Sequence, residues 1–104
     1  MQNLDQTFAA LGDTTRRAIL SRVALGDTSL SELAKPFAMS QTAISKHVRV
    51  LAGAGLVEVT KRGRTRYCHL SAKPMQDAAD WISHYEQFWT ATFDSLTHHL
   101  EAKK

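Results

Sequence analysis

The stretch "SQTAISKHVRVL", residues 40–51, has the periodicity of a short amphipathic helix. At about 100° per residue, Ile44, Val48 and Leu51 fall on one stripe that can pack against a core. Ser40 is a favourable N-cap for this helix. The opposite face can meet solvent or a polar partner, because its side chains form hydrogen bonds. They are Thr42, Ser45, Lys46 and Arg49.

Length and composition indicate a single globular domain. The chain has 104 residues, of which 43% are hydrophobic and 22% charged, and we expect a domain of this size to gain stability from oligomerisation. The N-terminus lacks the pattern of a secretory signal, and no segment approaches the roughly 18 apolar residues of a membrane span. The single cysteine cannot form an intramolecular disulfide, which agrees with a reducing compartment. We therefore expect a cytoplasmic protein with no membrane partner.

The basic residues are concentrated in the middle of the chain. Residues 33–72 hold seven lysines and arginines and one acidic residue, Glu58, although the net charge of the whole chain is only +3. Such a basic centre is typical of a surface that meets a polyanion, and a set of dispersed, solvated cations is the alternative.

Two helices are expected before residue 28. Apolar spacing predicts a helix at about residues 4–11 that ends at Gly12. A second helix begins with Asp13 or Thr14 as its N-cap and ends in a turn at Gly26-Asp27.

A third helix precedes the amphipathic one. Ser29 and Glu32 have the spacing of a capping box, and we expect Pro36 to push Lys35 out of helical geometry and end the helix early. Two helices joined by a turn of this length predict a helix-turn-helix at about residues 29–52.

A different pattern follows in "LVEVTKRGRTRYCHL", residues 56–70. Its β-branched and aromatic residues favour strands, and Arg62-Gly63 interrupts them where a hairpin turn would fall. We expect a β-hairpin of undetermined register with a basic tip. The basic residues in and around its turn are Lys61, Arg62, Arg64 and Arg66.

From Pro74 onward we expect one continuous helix, at about residues 74–101. Its apolar residues recur at helical spacing, and five of the eight aromatic residues of the chain lie between positions 81 and 93. They could line a ligand pocket, but their regular stripe without polar groups favours packing against the core and a second subunit. These five are Trp81, Tyr85, Phe88, Trp89 and Phe93.

A helix-turn-helix followed by a basic hairpin predicts a winged helix, mainly α with a small β-hairpin. In such a fold the second helix of the motif lies in the major groove of double-stranded DNA, and basic residues of the hairpin neutralise phosphates. The predicted DNA contacts are Gln41, Thr42, Ser45, Lys46 and Arg49 in the helix and Lys61, Arg62, Arg64 and Arg66 in the hairpin. A module whose basic face meets an acidic protein is the alternative. No nucleophile and base with the spacing of an enzyme site are present.

Three segments resemble the ArsR/SmtB family of bacterial winged-helix transcriptional repressors: "LGDTTRRAIL" at 11–20, "ELAKPFAMSQTAISKHVRVL" at 32–51 and "AGLVEVTKRGRTRY" at 54–67. Relatives often place glycine where this chain has Ala38. The resemblance implies a homodimer on pseudo-palindromic operator DNA, with the first and last helices at the dimer interface. The interface residues expected here are Leu4, Phe8, Ile82, Tyr85, Trp89 and Leu96.

Many members of that family sense metals through defined ligand patterns, which this chain matches only in part. A resemblance to the sensors that bind metal through thiolates would require cysteines in the third helix, but "LSELAKPF" contains none. A second family site needs Asp-x-His and His-x-x-His or His-x-x-Glu in the last helix. His98 and Glu101 have the second spacing, whereas Asp80 and His84 are four residues apart. We expect no metal or other cofactor; a metal-responsive repressor with a non-standard site in the last helix is the alternative. The effector cannot be inferred.

Four further residues have two interpretations each. Arg16 and Arg17 could contact DNA phosphates or be solvated and paired with acids. His47 lies beside the apolar stripe, which favours packing or a backbone contact over base reading. Cys68 in the hairpin is interpreted as a packed strand residue rather than a redox switch, because no second cysteine accompanies it.

Overall fold

The structure of the protein, a computed structural model, describes residues 4–102, and in the last helix it leaves out the side chains at 91, 95, 98, 99, 101 and 102. Six α-helices and three short strands account for most of this range, which confirms the predicted fold class. In chain order they are α1 (Leu4–Leu11), α2 (Thr14–Val23), β1 (Thr28–Ser29), α3 (Leu30–Ala34), a 3₁₀ turn (Lys35–Phe37), α4 (Gln41–Gly53), β2 (Val57–Arg62), β3 (Thr65–Leu70), α5 (Lys73–Ser83) and α6 (Glu86–Ala102).

The apolar stripe of α4 lies at the centre of the core. Ile44, Val48 and Leu51 are buried, as predicted, and they belong to one cluster with residues of α2, α3 and the sheet. Ser40 caps the helix, because its Oγ accepts a hydrogen bond of 3.1 Å from the backbone N–H of Ala43. Burial of one face holds α4 in place and leaves its polar face outward.

The two preceding helices begin at the predicted caps. The Asp13 carboxylate accepts a hydrogen bond of 3.0 Å from the N–H of Arg16, so Asp13 and not Thr14 is the N-cap of α2. The Ser29 hydroxyl accepts a hydrogen bond of 3.2 Å from the N–H of Glu32 at the start of α3. Side-chain oxygens thus satisfy backbone donors that have no partner within the helix.

Helix α3 ends early, at Ala34, as predicted, but the geometry of Lys35 differs from the prediction. Lys35 keeps right-handed helical geometry, with φ −56° and ψ −52°, so Pro36 did not displace it. A 3₁₀ turn continues instead, and Pro36 is tolerated near the start of that turn, where its missing N–H is not needed. The chain reverses only at Ala38, which adopts the left-handed conformation with φ 51° and ψ 34°.

The strands form one antiparallel sheet in the order β1-β3-β2. The hairpin turn consists of Gly63 and Arg64, one residue later than predicted, because Arg62 still pairs with Thr65. Gly63 has φ +63°, as the first residue of a type II′ turn requires. Strand β1 was not predicted, since two residues are too few to show an alternating pattern.

Alternation along the hairpin gives it two sides. The core side carries the buried residues Val57 and Cys68, and the outer side is the opposite face of the hairpin. The register assigns Val57, Val59, Lys61, Arg66, Cys68 and Leu70 to the core side, and Glu58, Thr60, Arg62, Thr65, Tyr67 and His69 to the outer side.

The C-terminal region forms two helices, so the prediction of one continuous helix was wrong. At the end of α5, the N–H groups of His84 and Tyr85 donate to carbonyls three residues back, at 3.3 and 2.9 Å. The Ser83 hydroxyl donates to the carbonyl of Asp80 at 2.7 Å, and such side-chain bonds compete with the helical ladder. Neither glycine nor proline marks this break, and the apolar spacing continues across it.

Helix α6 extends away from the rest of the chain. The radius of gyration is 18.1 Å, against about 13 Å for a compact chain of this length. Helix α5 packs on α1, where the rings of Phe8 and Trp81 meet edge to face at 5.7 Å. In the described range, no helix has both the length and the apolar character that crossing a membrane requires.

The arginines of α2 hold the end of α1. Arg16 donates from Nε to the carbonyl of Ala10 at 2.7 Å and from a terminal nitrogen to that of Ala9 at 3.0 Å. Arg17 donates to the carbonyl of Leu11 at 2.6 Å. Cations at the C-terminus of a helix donate to carbonyls that have no partner within the helix. They also interact favourably with the negative end of the helix dipole. Both side chains therefore have a structural role that neither sequence interpretation included.

We expect Arg16→Ala to lower the free energy of unfolding by about 1–3 kcal/mol, because it removes two charge-assisted hydrogen bonds to α1. Urea denaturation followed by circular dichroism measures the change. Arg22→Ala is the matched control: Arg22 is exposed on the same helix and should change stability by less than about 0.5 kcal/mol. Equal effects of the two substitutions would show that the bonds to α1 contribute nothing.

Candidate nucleic-acid interface

The polar face of α4 is open to solvent along its length. Gln41, Thr42, Lys46 and Arg49 are exposed, and Ser45 is half-buried where the helix approaches the hairpin. Amide, hydroxyl and guanidinium groups on one exposed helix face can donate to and accept from base edges. The five helix residues predicted as DNA contacts are therefore placed together.

A polar cleft of about 280 Å³ lies between the start of α4 and the tip of the hairpin. Helix α4 contributes Gln41 and Ser45 to this cleft, and the hairpin contributes Arg64 and Arg66. The sequence predicted these two sets of residues separately and did not show that they lie together. The lining residues of the cleft are Leu30, Ser31, Gln41, Ser45, Arg64, Thr65 and Arg66.

The sheet register explains how the hairpin presents its cations. Lys61 and Arg66 are paired across the ladder on the core side, and Arg64 lies in the turn. All three side chains are exposed, and no ion pair of theirs occurs in the described part of the chain. Three uncompensated cations beside the exposed face of α4 form a surface suited to the phosphates of a duplex.

Arg62 is placed differently from the other three cations. It lies on the outer side, where a terminal nitrogen is 3.3 Å from Oδ2 of Asp27 and the guanidinium lies 5.0 Å from the centre of the Tyr67 ring. The sequence grouped all four basic residues because it could not show which side of the hairpin each would occupy. The structure separates Arg62 from the cleft.

Asp27 is a site residue that the sequence reasoning missed. Its Oδ1 is 2.7 Å from Nδ1 of His69, and this hydrogen bond, with a smaller contribution from Arg62, lowers the pKa of the Asp27 carboxyl below its usual value. In the sequence, Asp27 indicated only a turn. Its partners are 35 and 42 residues away, so no local pattern could have revealed them.

His47 points toward α2. It is half-buried, and its Nδ1 is 3.8 Å from Oδ2 of Asp13, which agrees with the interpretation that His47 packs inward. The pKa of Asp13 is lowered chiefly by the hydrogen bond from the N–H of Arg16. His47 thus belongs to the support of α4.

Cys68 was a candidate redox switch, and the histidines were candidate metal ligands. Cys68 is buried, and burial raises the pKa of its thiol to about 11, which agrees with a packed strand residue. His84 is exposed at the end of α5. Among the described residues, no three His, Cys, Asp or Glu side chains are grouped as metal ligands would be. The side chains of His98, His99 and Glu101 lie outside the described residues, so that part of the last-helix pattern stays a prediction.

Two helices joined by a turn, followed by a basic hairpin beside the second helix, define a winged-helix protein. A family profile described as a helix-turn-helix domain matches residues 11–60. Among solved structures, an ArsR family transcriptional regulator is 37% identical, with 84% of this chain and 90% of that chain covered and a TM-score of 0.76. The chain belongs to the ArsR family.

Two other solved structures are also similar. An ArsR-like transcriptional regulator from Rhodococcus sp. RHA1 is 32% identical, with 91% of this chain and 90% of that chain covered and a TM-score of 0.71. A possible transcriptional regulator for arsenical resistance is 32% identical, with 86% and 91% covered and a TM-score of 0.69. No curated protein sequence matches the chain. The family and the fold make this protein a DNA-binding transcription regulator.

Proposed function

We propose that the protein is a bacterial, cytoplasmic repressor that binds a pseudo-palindromic operator as a homodimer. The observation that carries this proposal is the cleft in which Gln41 and Ser45 of α4 meet Arg64 and Arg66 of the hairpin. A reading helix and a phosphate-binding wing on one surface match the two kinds of contact that sequence-specific DNA binding needs.

The residues divide between these two kinds of contact. Helix α4 enters the major groove and reads base edges with Gln41, Thr42, Ser45, Lys46 and Arg49. The wing, residues 56–70, holds flanking phosphates through Lys61, Arg64 and Arg66. Arg62 contributes less, because the nearby carboxylate of Asp27 compensates its charge.

The apolar surface of α5 and α6 supports a dimer. The rings of Trp81, Tyr85 and Phe88 follow one another at 5.1 and 6.0 Å, yet each remains exposed. An exposed apolar surface of this extent marks an interaction site, and the commonest cover is a second copy of the same surface. The proposed interface residues are Leu4 and Phe8, which are half-buried, and Ile82, Tyr85, Trp89 and Leu96, which are exposed.

Sequencing the duplex fragments that the purified protein retains would identify the operator. On that operator, we expect Arg49→Ala to cost about 1–3 kcal/mol of binding and to reduce binding to random DNA much less, because Arg49 reads bases. Ser45→Ala should act in the same direction. Arg64→Ala should weaken binding to both DNAs, since it removes one phosphate contact. The slope of log affinity against log salt concentration should fall in magnitude by about one unit.

Arg22→Ala is the control for these measurements, because Arg22 is an exposed arginine of α2 that does not line the cleft. If Arg49→Ala reduced binding to operator and random DNA by the same factor, the base-reading role would be wrong. If the protein retained no duplex above the level of a neutral protein, the basic face would instead have to meet another polyanion, such as an acidic protein.

A further inference from the structure

One carboxylate connects all three strands of the sheet. Asp27 directly precedes β1, its Oδ1 is bonded to His69 on β3 at 2.7 Å, and its Oδ2 lies 3.3 Å from the guanidinium of Arg62 on β2. Because the strand order is β1-β3-β2, these two bonds reach across the middle strand to the far one. Each oxygen of the carboxylate has its own partner.

Besides the packing of Val57 and Cys68 in the core, the hairpin is attached to the helix-turn-helix by a very short ladder. Strand β1 pairs with β3 through only two residue pairs, Thr28 with Cys68 and Ser29 with Tyr67. Extending that register by one residue brings Asp27 opposite His69, as the hydrogen bond requires. The Asp27 bonds therefore lengthen the link between the hairpin and the segment that joins α2 to α3.

We propose that Asp27 is a positioning residue for the wing: it fixes the hairpin against the helix-turn-helix and so sets where Arg64 and Arg66 lie relative to α4. This inference rests on the proposed function, because the contacts that Asp27 positions are those with DNA. Asp27 does not itself bind DNA, since a carboxylate repels phosphates and none of Asp27, His69 and Arg62 lines the cleft.

The charges around Asp27, Arg62 and His69 determine how a substitution of Asp27 should affect DNA binding. His69 is flanked by two carboxylates, because Glu58 is its partner in the β2–β3 ladder and Asp27 lies on its other side. Removing the Asp27 carboxylate adds one unit of positive charge and releases Arg62. The effect on non-specific DNA binding is then neutral or favourable, while the placement needed for specific binding is lost.

Asp27→Ala and the isosteric Asp27→Asn test the inference in the full-length protein. In the free protein, we expect Asp27→Ala to speed hydrogen exchange of the amides that pair β1 with β3 about tenfold and to leave the α4 amides unchanged. Binding to the operator should fall about 5- to 20-fold. Binding to random duplex should fall less than twofold or rise, with a salt slope within about half a unit of wild type. Asp27→Asn should have a smaller effect, because it keeps an oxygen for His69.

Asp77→Ala is the matched control, since it removes a carboxylate paired with Lys73 on α5, outside the sheet. Combining Asp27→Ala with Arg62→Ala or His69→Ala should cost less operator binding than the sum of the single changes. Wild-type exchange at the amides that pair β1 with β3, or an operator-to-random ratio that matches Asp77→Ala, would overturn the inference. A wild-type protein that bound no duplex would refute the proposed function, while the exchange measurement still decided whether Asp27 anchors the hairpin.

Discussion

Leu51→Ala is expected to lower the free energy of unfolding by about 2–5 kcal/mol, a large fraction of the stability of a domain of this size. Leu51 has 0% of its surface exposed and lies on the inward stripe of α4. The substitution removes buried methyl groups and leaves a cavity that the close-packed surroundings fill only partly. Chemical denaturation gives the change, and Ile44→Val, a smaller deletion in the same core, should cost about 0.5–1.5 kcal/mol.

Leu25→Ala supplies the same chemical change at the surface. Leu25 is 83% exposed in the turn after α2, so its substitution should alter stability by less than about 0.5 kcal/mol. If the two leucine substitutions had equal effects, α4 would not be held by its apolar stripe. The outward position of the polar face of α4, which depends on that stripe, would then need another explanation.

Trp89→Ala is expected to weaken self-association at least tenfold. Burying a large aromatic side chain is worth about 1.5–3 kcal/mol, and a two-fold symmetric interface contains each residue twice. Operator binding should weaken together with self-association. A dimer places two α4 helices in major grooves about 34 Å apart, and a monomer loses the affinity that comes from binding both grooves at once. Sedimentation over a range of protein concentrations and footprinting on the operator measure the two effects.

Leu25→Ala again serves as a control, since it removes an exposed apolar side chain outside α1, α5 and α6 and should leave both measurements unchanged. A folded wild-type protein that sedimented as a monomer at micromolar concentration, and bound a single half-site as tightly as the full operator, would refute the dimer. Retention of full self-association by Trp89→Ala would move the interface away from this residue.

Local signals in the sequence were sufficient for most of the fold. Caps at Asp13, Ser29 and Ser40 and the stripe on α4 depend on residues a few positions apart, and the structure has all of them. The break between α5 and α6 was missed because backbone bonding changes there while apolar spacing does not. Pro36 was misjudged because the rule for residues before proline is a preference, which a 3₁₀ turn can override.

The site was predicted in its parts but not in its arrangement. The sequence indicates that Gln41, Ser45 and Arg64 can meet DNA, whereas their common cleft depends on how the hairpin packs beside α4. Contacts between distant segments carry no local pattern, which is why the bonds from Asp27 to Arg62 and His69 could not be foreseen. The DNA-binding roles themselves remain predictions.

The two-residue strand β1 has a consequence for the order in which the protein folds. Pairing Thr28 with Cys68 closes a chain segment about 40 residues long, whereas β2 and β3 are joined by a two-residue turn. Hairpins form within microseconds, and pairing across long loops is slower. We therefore expect the hairpin to form early and to attach to the helices late. Opening should follow the reverse order, so that the wing detaches as an intact hairpin before its own strands separate.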